Sequence, residues 1–107
     1  QFIKQSYRQA MINKIYKNLN WGGAFFFAEK VRSYDARTQD MINEIYKEWI
    51  FLNGFSDREI NSKTKSLKGV LDPFSTKGKN EMLKRAGFSD VSSIAKFICF
   101  EVFLAIK

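Results

Sequence analysis

Apolar residues near the start of the chain recur at the spacing of a helix. They fall mostly three or four positions apart and share one face, namely Tyr7, Ala10, Met11, Ile15 and Leu19. Ser6 is suited to cap this helix, which is predicted to run to about Asn18. Gly22 and Gly23 permit positive φ, so they predict a turn directly after the helix.

A short apolar run follows the glycine turn. Residues Ala24–Ala28 form a continuous aromatic stretch that does not alternate with polar residues. This pattern is typical of a strand buried on both faces, which means a parallel strand covered by helices. Its three phenylalanines are therefore predicted to be core residues and not an exposed binding platform.

The long segment after this strand predicts a second helix. Apolar residues recur at helical spacing from Asp35 to about Asn53, where Asn53 and Gly54 form a good stop. Tyr46 and Trp49 lie on this helix. They suit either a contact with a second subunit or ordinary packing against the sheet.

The next segment is more polar. Ser56 and Glu59 form a capping box for a basic helix from Asp57 to about Lys68. Residues Gly69–Lys79 contain the single proline and two glycines, so they are predicted to be a loop. A short helix is predicted over Asn80–Arg85.

The last stretch changes to the pattern of strands. Val91–Cys99 and Val102–Ile106 are rich in β-branched and aromatic residues, with a minimal link at Phe100 and Glu101. They predict a terminal antiparallel hairpin. The order of helix, buried strand, helices and hairpin predicts the α/β class.

Composition restricts the chemistry. The 107 residues suit one small domain, and 18 basic against 11 acidic residues give a net charge of +7. The absence of histidine excludes a catalytic triad, a histidine base and a histidine metal ligand. The single cysteine, Cys99, excludes an internal disulfide, is interpreted as an inert buried thiol and favours a cytoplasmic location. Neither a catalytic residue nor a metal site is predicted, and the longest apolar run is too short to cross a membrane.

Two polar features are candidates for ligand contact. A basic stretch comprises Lys63, Lys65, Lys68, Lys77 and Lys79, and it is interpreted as a solvated surface or, less favourably, as an anion-binding surface. Glu29 follows the predicted strand at its carboxyl end, where ligands bind in open α/β sheets. It either faces a substrate pocket or forms an ion pair with Lys30 or Arg32.

Two short sequence segments resemble turns of a known fold. Leu19–Ala24 resembles the glycine turn before the fifth strand of Rossmann-like S-adenosylmethionine-dependent methyltransferases, and Leu83–Phe88 resembles the turn before the sixth. Longer segments resemble the C-terminal portion of the carboxy-S-adenosyl-L-methionine synthase family: QFIKQSYRQAMINKIYKNL, GGAFFFAEK, NGFSDREI, KSLKGVL, LKRAGF and FICFEVFLAIK. This similarity covers essentially the whole chain and the lesser part of the family's length.

The resemblance implies a fold and an activity. Residues 1–107 would form a single partial domain, the C-terminal part of a Rossmann-like methyltransferase fold, with the cofactor-binding half upstream. Members of the family convert S-adenosylmethionine and prephenate to carboxy-S-adenosylmethionine, releasing phenylpyruvate. The product serves a partner enzyme that modifies the wobble uridine of tRNAs. The resemblance further implies a homodimer, no direct tRNA binding, and a chain that is inactive without its other half.

The same resemblance identifies one ligand position. The family carries an arginine that pairs with the ligand's new carboxylate from the neighbouring subunit, and Thr64 occupies the aligned position here. A threonine cannot form the bidentate charged pair, so Lys63 or Lys65 would supply a weaker point charge. Two other functions stay open: an ordinary methyltransferase acting on a small molecule or tRNA, and a small basic module that binds nucleic acid.

Overall fold

The computed structural model describes all residues from 1 to 107 and contains four helices and three strands. In chain order these are α1 (Gln5–Asn18), β1 (Ala24–Lys30), α2 (Ala36–Leu52), α3 (Asp57–Leu67), α4 (Thr76–Ala86), β2 (Asp90–Phe97) and β3 (Phe100–Ile106). The α/β class is confirmed, and the three-strand sheet is consistent with part of a Rossmann-like fold.

The sheet has the order β1-β3-β2, and β3 is antiparallel to both neighbours. The strands β1 and β2 therefore point in the same direction, with the reversed strand β3 between them. The predicted terminal hairpin is confirmed. Its turn lies at Ile98 and Cys99 and not at Phe100 and Glu101, since Phe100 already pairs with Phe97.

The ladder partner of β1 is the antiparallel strand β3, and the other edge of β1 pairs with no strand of this chain, so a parallel neighbour at that edge stays a prediction. The prediction that β1 is buried on both faces was wrong. Its side chains alternate, so that Phe25 and Phe27 are half-buried whereas Phe26 is 62% exposed. The physical reason is that α1 and α4 cover one face of β1 while α2 covers the other face only near Lys30.

The core lies between the sheet and the pair α1 and α4. Its buried centre consists of Ile12, Met82, Leu83, Phe88 and Ala105. The helix α2 lies on the opposite face, where Tyr46 packs edge-on against Phe100 at 5.8 Å and Trp49 against Phe97 at 5.4 Å between ring centroids. Of the two roles left open for these aromatic residues, the structure shows packing against the sheet.

The first residues of the helices show which of the predicted N-caps are present. The capping box of Ser56 and Glu59 is present, and Asp35 caps α2 through Thr38. Ser6 was predicted wrongly, because α1 begins at Gln5 with no side-chain cap.

The start of α4 was also predicted too late. Ser75 accepts a hydrogen bond from the Gly78 nitrogen, so the helix begins at Thr76 within the predicted loop. It ends at Gly87, whose left-handed φ of 114° suits glycine. None of the helices has the length and apolar character needed to span a membrane.

Candidate functional site

A pocket of about 470 Å³ lies between α2, α3 and the end of β1. Its lining is partly apolar and carries several charged or polar side chains, among them Lys30, Asp40, Glu44, Tyr46, Lys47, Lys63, Thr64 and Lys68. We call it the α2–α3 pocket. The sheet positions Lys30, because it is the last residue of β1, and the capped helix α3 positions Lys63 and Thr64.

Two ammonium groups gather around one tyrosine in this pocket. The Lys30 Nζ lies 3.9 Å from the centroid of the Tyr46 ring. The Lys63 Nζ donates a hydrogen bond to the Tyr46 hydroxyl at 3.1 Å and lies 5.6 Å from the same centroid. The electron-rich face of the ring attracts both cations. Neither lysine forms an ion pair with a carboxylate, so both remain free to bind an anionic ligand.

The remaining charges leave the α2–α3 pocket positive. Lys47 and Glu44 form an ion pair at 2.7 Å and offset each other. Three lysines then face one aspartate: Lys30, Lys63 and Lys68 against Asp40. The pocket is thus suited to a carboxylate or another small anion.

The three positions suggested on α3 have different surroundings. Lys63 and Thr64 both line the α2–α3 pocket, whereas Lys65 is exposed and lies outside it. The Thr64 hydroxyl donates to the Ile60 carbonyl at 2.8 Å, a bond within the helix. Of these three residues, Lys63 is therefore the one that places a positive charge in the pocket. Thr64 forms part of the pocket wall and carries no charge.

Glu29 lies on the opposite face of the sheet. Successive side chains of a strand point to opposite faces, which separates Glu29 from Lys30. The Glu29 carboxylate accepts from Lys79 and, at 3.0 Å, from the main-chain nitrogen of Gln1. Its partner is thus Lys79 and not Lys30 or Arg32. Glu29 lines a separate cavity, so the structure does not bring it together with Lys63 and Thr64.

Sequence reasoning missed Lys30 and Tyr46 as pocket residues. Lys30 lies two residues after the apolar run Ala24–Ala28, and its position beside Glu29 was the available signal. Tyr46 lies in an apolar row of α2, which conceals its polar hydroxyl from a pattern of hydrophobic positions. Neither residue could be assigned to the pocket without knowing that α2 packs over the end of β1.

The surroundings of Cys99 disfavour a nucleophilic thiolate. The thiol is buried and free of any disulfide, and that burial raises the pKa of Cys99 although Lys30 opposes the shift. A raised pKa keeps the group in its thiol form, which is a poor nucleophile.

Comparison with known proteins gives a consistent result. No family model matches the chain. Curated proteins do match it along all 107 residues. The chain is similar to carboxy-S-adenosyl-L-methionine synthases. It is 41% identical to the synthase of Campylobacter jejuni subsp. jejuni, 38% to that of Campylobacter lari and 36% to that of Staphylococcus epidermidis.

The match covers the whole of this chain but only part of each relative. The aligned region makes up 46% of the two Campylobacter synthases and 47% of the Staphylococcus epidermidis synthase. The chain therefore spans about half the length of the curated relatives it matches. The resemblance to carboxy-S-adenosyl-L-methionine synthase that the residues predicted is confirmed, and the share covered is consistent with a C-terminal portion.

Proposed function

We propose that this chain is the C-terminal portion of a transferase that makes carboxy-S-adenosylmethionine. The observation that carries the proposal is the similarity of all 107 residues, at 36–41% identity, to curated carboxy-S-adenosyl-L-methionine synthases. The reaction takes S-adenosylmethionine and prephenate and yields carboxy-S-adenosylmethionine, phenylpyruvate and water. The carboxyl group that prephenate loses becomes bonded to the former methyl carbon of S-adenosylmethionine.

Within that enzyme, the chain completes the sheet and supplies a wall of the substrate site. The motifs that hold S-adenosylmethionine lie in the other half, so the 107 residues alone are expected to be inactive. The enzyme acts as a homodimer in the cytoplasm, and its product is used to modify tRNA. The open edge of β1 is where the remaining strands of the sheet would pair.

The α2–α3 pocket binds a substrate carboxylate in this proposal. Lys63 and Lys30 replace the charge of the family arginine, whose aligned position is Thr64. Two lysines around Tyr46 supply two point charges without the planar fork of an arginine. Lys65 contributes only to the charge of the surrounding surface because it lies outside the pocket.

The test uses the complete enzyme that contains these residues. Substitution Lys63→Met is expected to raise the KM for prephenate about tenfold, because it removes one ammonium group from the carboxylate site. The matched control is Lys65→Met, which removes the same charge two residues further along α3 and outside the pocket, and it is expected to leave KM within about twofold. Release of phenylpyruvate is followed by absorbance, and carboxy-S-adenosylmethionine is identified by mass. Absence of prephenate-dependent product in the unsubstituted enzyme would refute the function.

One observation favours a second function. Thr64 carries no positive charge, and its hydroxyl already donates to the Ile60 carbonyl. A substrate carboxylate at this position therefore lacks the arginine partner that the family provides. An ordinary methyltransferase needs no cation at this position. The same assay separates the two functions, since a methyltransferase yields S-adenosylhomocysteine and a methylated acceptor and does not consume prephenate. The nucleic-acid module is not retained, because the whole-length similarity is to synthases of a small molecule.

A further inference from the structure

A second cavity, of about 200 Å³, lies on the other face of the sheet beneath α1 and α4. We call it the α1–α4 cavity. Its charged side chains are those of Arg8, Glu29 and Lys79, and Gln1, whose amino group pairs with Glu29, also lines it. Most of the remaining lining is apolar: Met11, Ile12, Phe25, Phe27 and Met82. The α1–α4 cavity shares no lining residue with the α2–α3 pocket.

Arg8 is the residue that indicates a ligand. It is only 3% exposed, and its guanidinium lies over the Phe74 ring at 4.6 Å. Its Nε donates to the Ile3 carbonyl at 2.7 Å and its Nη2 to the Gln1 carbonyl at 3.2 Å. Its Nη1 is buried and has no hydrogen-bond partner. A buried donor without an acceptor is costly, so native proteins rarely leave one unsatisfied.

The charge around the α1–α4 cavity is also unbalanced. Lys79 is 1% exposed and pairs with Glu29. Burial, and then the positive charge of Arg8, lowers the pKa of Lys79 to about 8. Glu101, the carboxylate opposite Glu29, accepts from the Thr76 hydroxyl and does not line the cavity. Two side-chain cations, Arg8 and Lys79, therefore line the cavity with one carboxylate, Glu29, which the Gln1 amino group also contacts.

We propose that the α1–α4 cavity is a binding site for a small organic monocarboxylate. The carboxylate would accept from Arg8 and Lys79, and an apolar body would pack on Phe25 and Met82. The volume is below the range of about 300–1,000 Å³ that is typical of drug-sized ligands, which restricts the occupant to a small molecule. Apolar walls favour a carboxylate with a hydrocarbon body over an inorganic anion. The proposal does not depend on the function of the α2–α3 pocket.

Benzoate is the probe for this site, and benzamide is its neutral counterpart of nearly the same shape. Calorimetric titration of the full chain at pH 7 is expected to give one saturable site for benzoate and none for benzamide. Arg8→Gln is expected to weaken benzoate binding at least tenfold. The matched control Arg58→Gln removes an exposed arginine on α3 and is expected to change the affinity less than twofold.

A second measurement needs no substitution, which matters because a variant of a buried arginine can fail to fold. The chain has three methionines, and their methyl groups are observed by NMR after ¹³C labelling. Met11 and Met82 line the cavity, whereas Met41 is exposed on α2. Benzoate is expected to shift the Met11 and Met82 signals and leave Met41 in place. Equal shifts at all three methyl groups, no saturation, or full affinity in a folded Arg8→Gln variant would overturn the proposal.

Discussion

Glu29 and Glu101 lie directly opposite each other on β1 and β3, and both point toward α4. Like charges in such a cross-strand pair repel each other. Here each carboxylate has its own donor on the first turns of α4, because Lys79 pairs with Glu29 and Thr76 donates to Glu101. The start of α4 is therefore fixed to the sheet by polar contacts, while the rest of the helix packs through Met82 and Leu83.

The first prediction tests the pair of Lys79 and Glu29. Lys79→Met is expected to lower the free energy of unfolding by about 3–5 kcal/mol, because it leaves the mostly buried Glu29 carboxylate with the Gln1 amino group as its only charged partner. Urea denaturation of the full chain measures the change. The double variant Lys79→Met with Glu29→Gln is expected to lose less than the single variant, since no mostly buried carboxylate then lacks its lysine. An equal or greater loss in the double variant would contradict the pairing.

The second prediction concerns pH. Burial lowers the pKa of Lys79 from 10.5 to about 8 in the folded chain. Between those values the unfolded chain binds more protons at this residue, so the contribution of Lys79 to stability rises with pH, by up to about 3 kcal/mol. The amino group of Gln1 contacts the same Glu29 carboxylate, and burial, followed by the positive charge of Lys79, lowers its pKa from the ordinary value.

The check for this pH effect is the difference between two proteins. The free energy of unfolding is measured from pH 7.5 to 10 for the unsubstituted chain and for Lys79→Met. The difference between them is expected to increase with pH in favour of the unsubstituted chain. A difference that stays constant would show that Lys79 keeps an ordinary pKa.

Sequence patterns located the helices and strands because local signals and packing agree for most of them. The capping box at Ser56 marks α3 without any tertiary information. The start of α4 was missed because Ser75 has no acidic residue three positions later to complete a capping box. The exposure of Phe26 was missed because it depends on which helices cover each face of β1, and a run of three phenylalanines does not contain that information.

The candidate site was predictable only in part for the same reason. Lys63 and Thr64 lie close together on one helix, so a linear motif identifies both. Lys30 and Tyr46 come from a strand and a second helix that meet only in the folded chain. The partner of Glu29 was likewise out of reach, since Lys79 lies fifty residues away and was interpreted as part of a solvated surface.

The third prediction compares Gly78, inside α4, with Gly87, which directly follows its last residue. Gly87 has a φ of 114°, and an added Cβ would lie 2.7 Å from the Tyr16 Cζ. Gly87→Ala is expected to cost about 2 kcal/mol or more, from the left-handed backbone and the collision together. Gly78→Ala meets nothing closer than 3.5 Å and lies in the helix, so it is expected to be neutral or to stabilise by up to about 1 kcal/mol. Thermal denaturation of both variants distinguishes these outcomes, and a loss in Gly78→Ala equal to that in Gly87→Ala would contradict the assignment.

The fourth prediction separates the two contacts of Tyr46. Tyr46→Phe keeps the ring that attracts Lys30 and removes the hydroxyl that accepts from Lys63. If the α2–α3 pocket binds the prephenate carboxylate, KM in the complete enzyme is expected to rise about three- to tenfold, the equivalent of one hydrogen bond. Tyr46→Leu removes both contacts and is expected to raise KM further. An unchanged KM in a folded Tyr46→Leu enzyme would exclude the pocket from substrate binding.

The last prediction follows from the uncovered side of β1. One edge of this strand pairs with no other strand, and Phe26 is 62% exposed beside it. An apolar strand with an open edge promotes association between chains. Light scattering of the 107-residue chain is therefore expected to give a mass above 12.5 kDa that increases with concentration. Phe26→Lys places a charge beside the open edge and is expected to return the mass to 12.5 kDa, whereas Tyr34→Lys, which changes an exposed aromatic residue outside the sheet, is expected to have no effect. A monomer of the unsubstituted chain at millimolar concentration would show that the open edge is protected in solution.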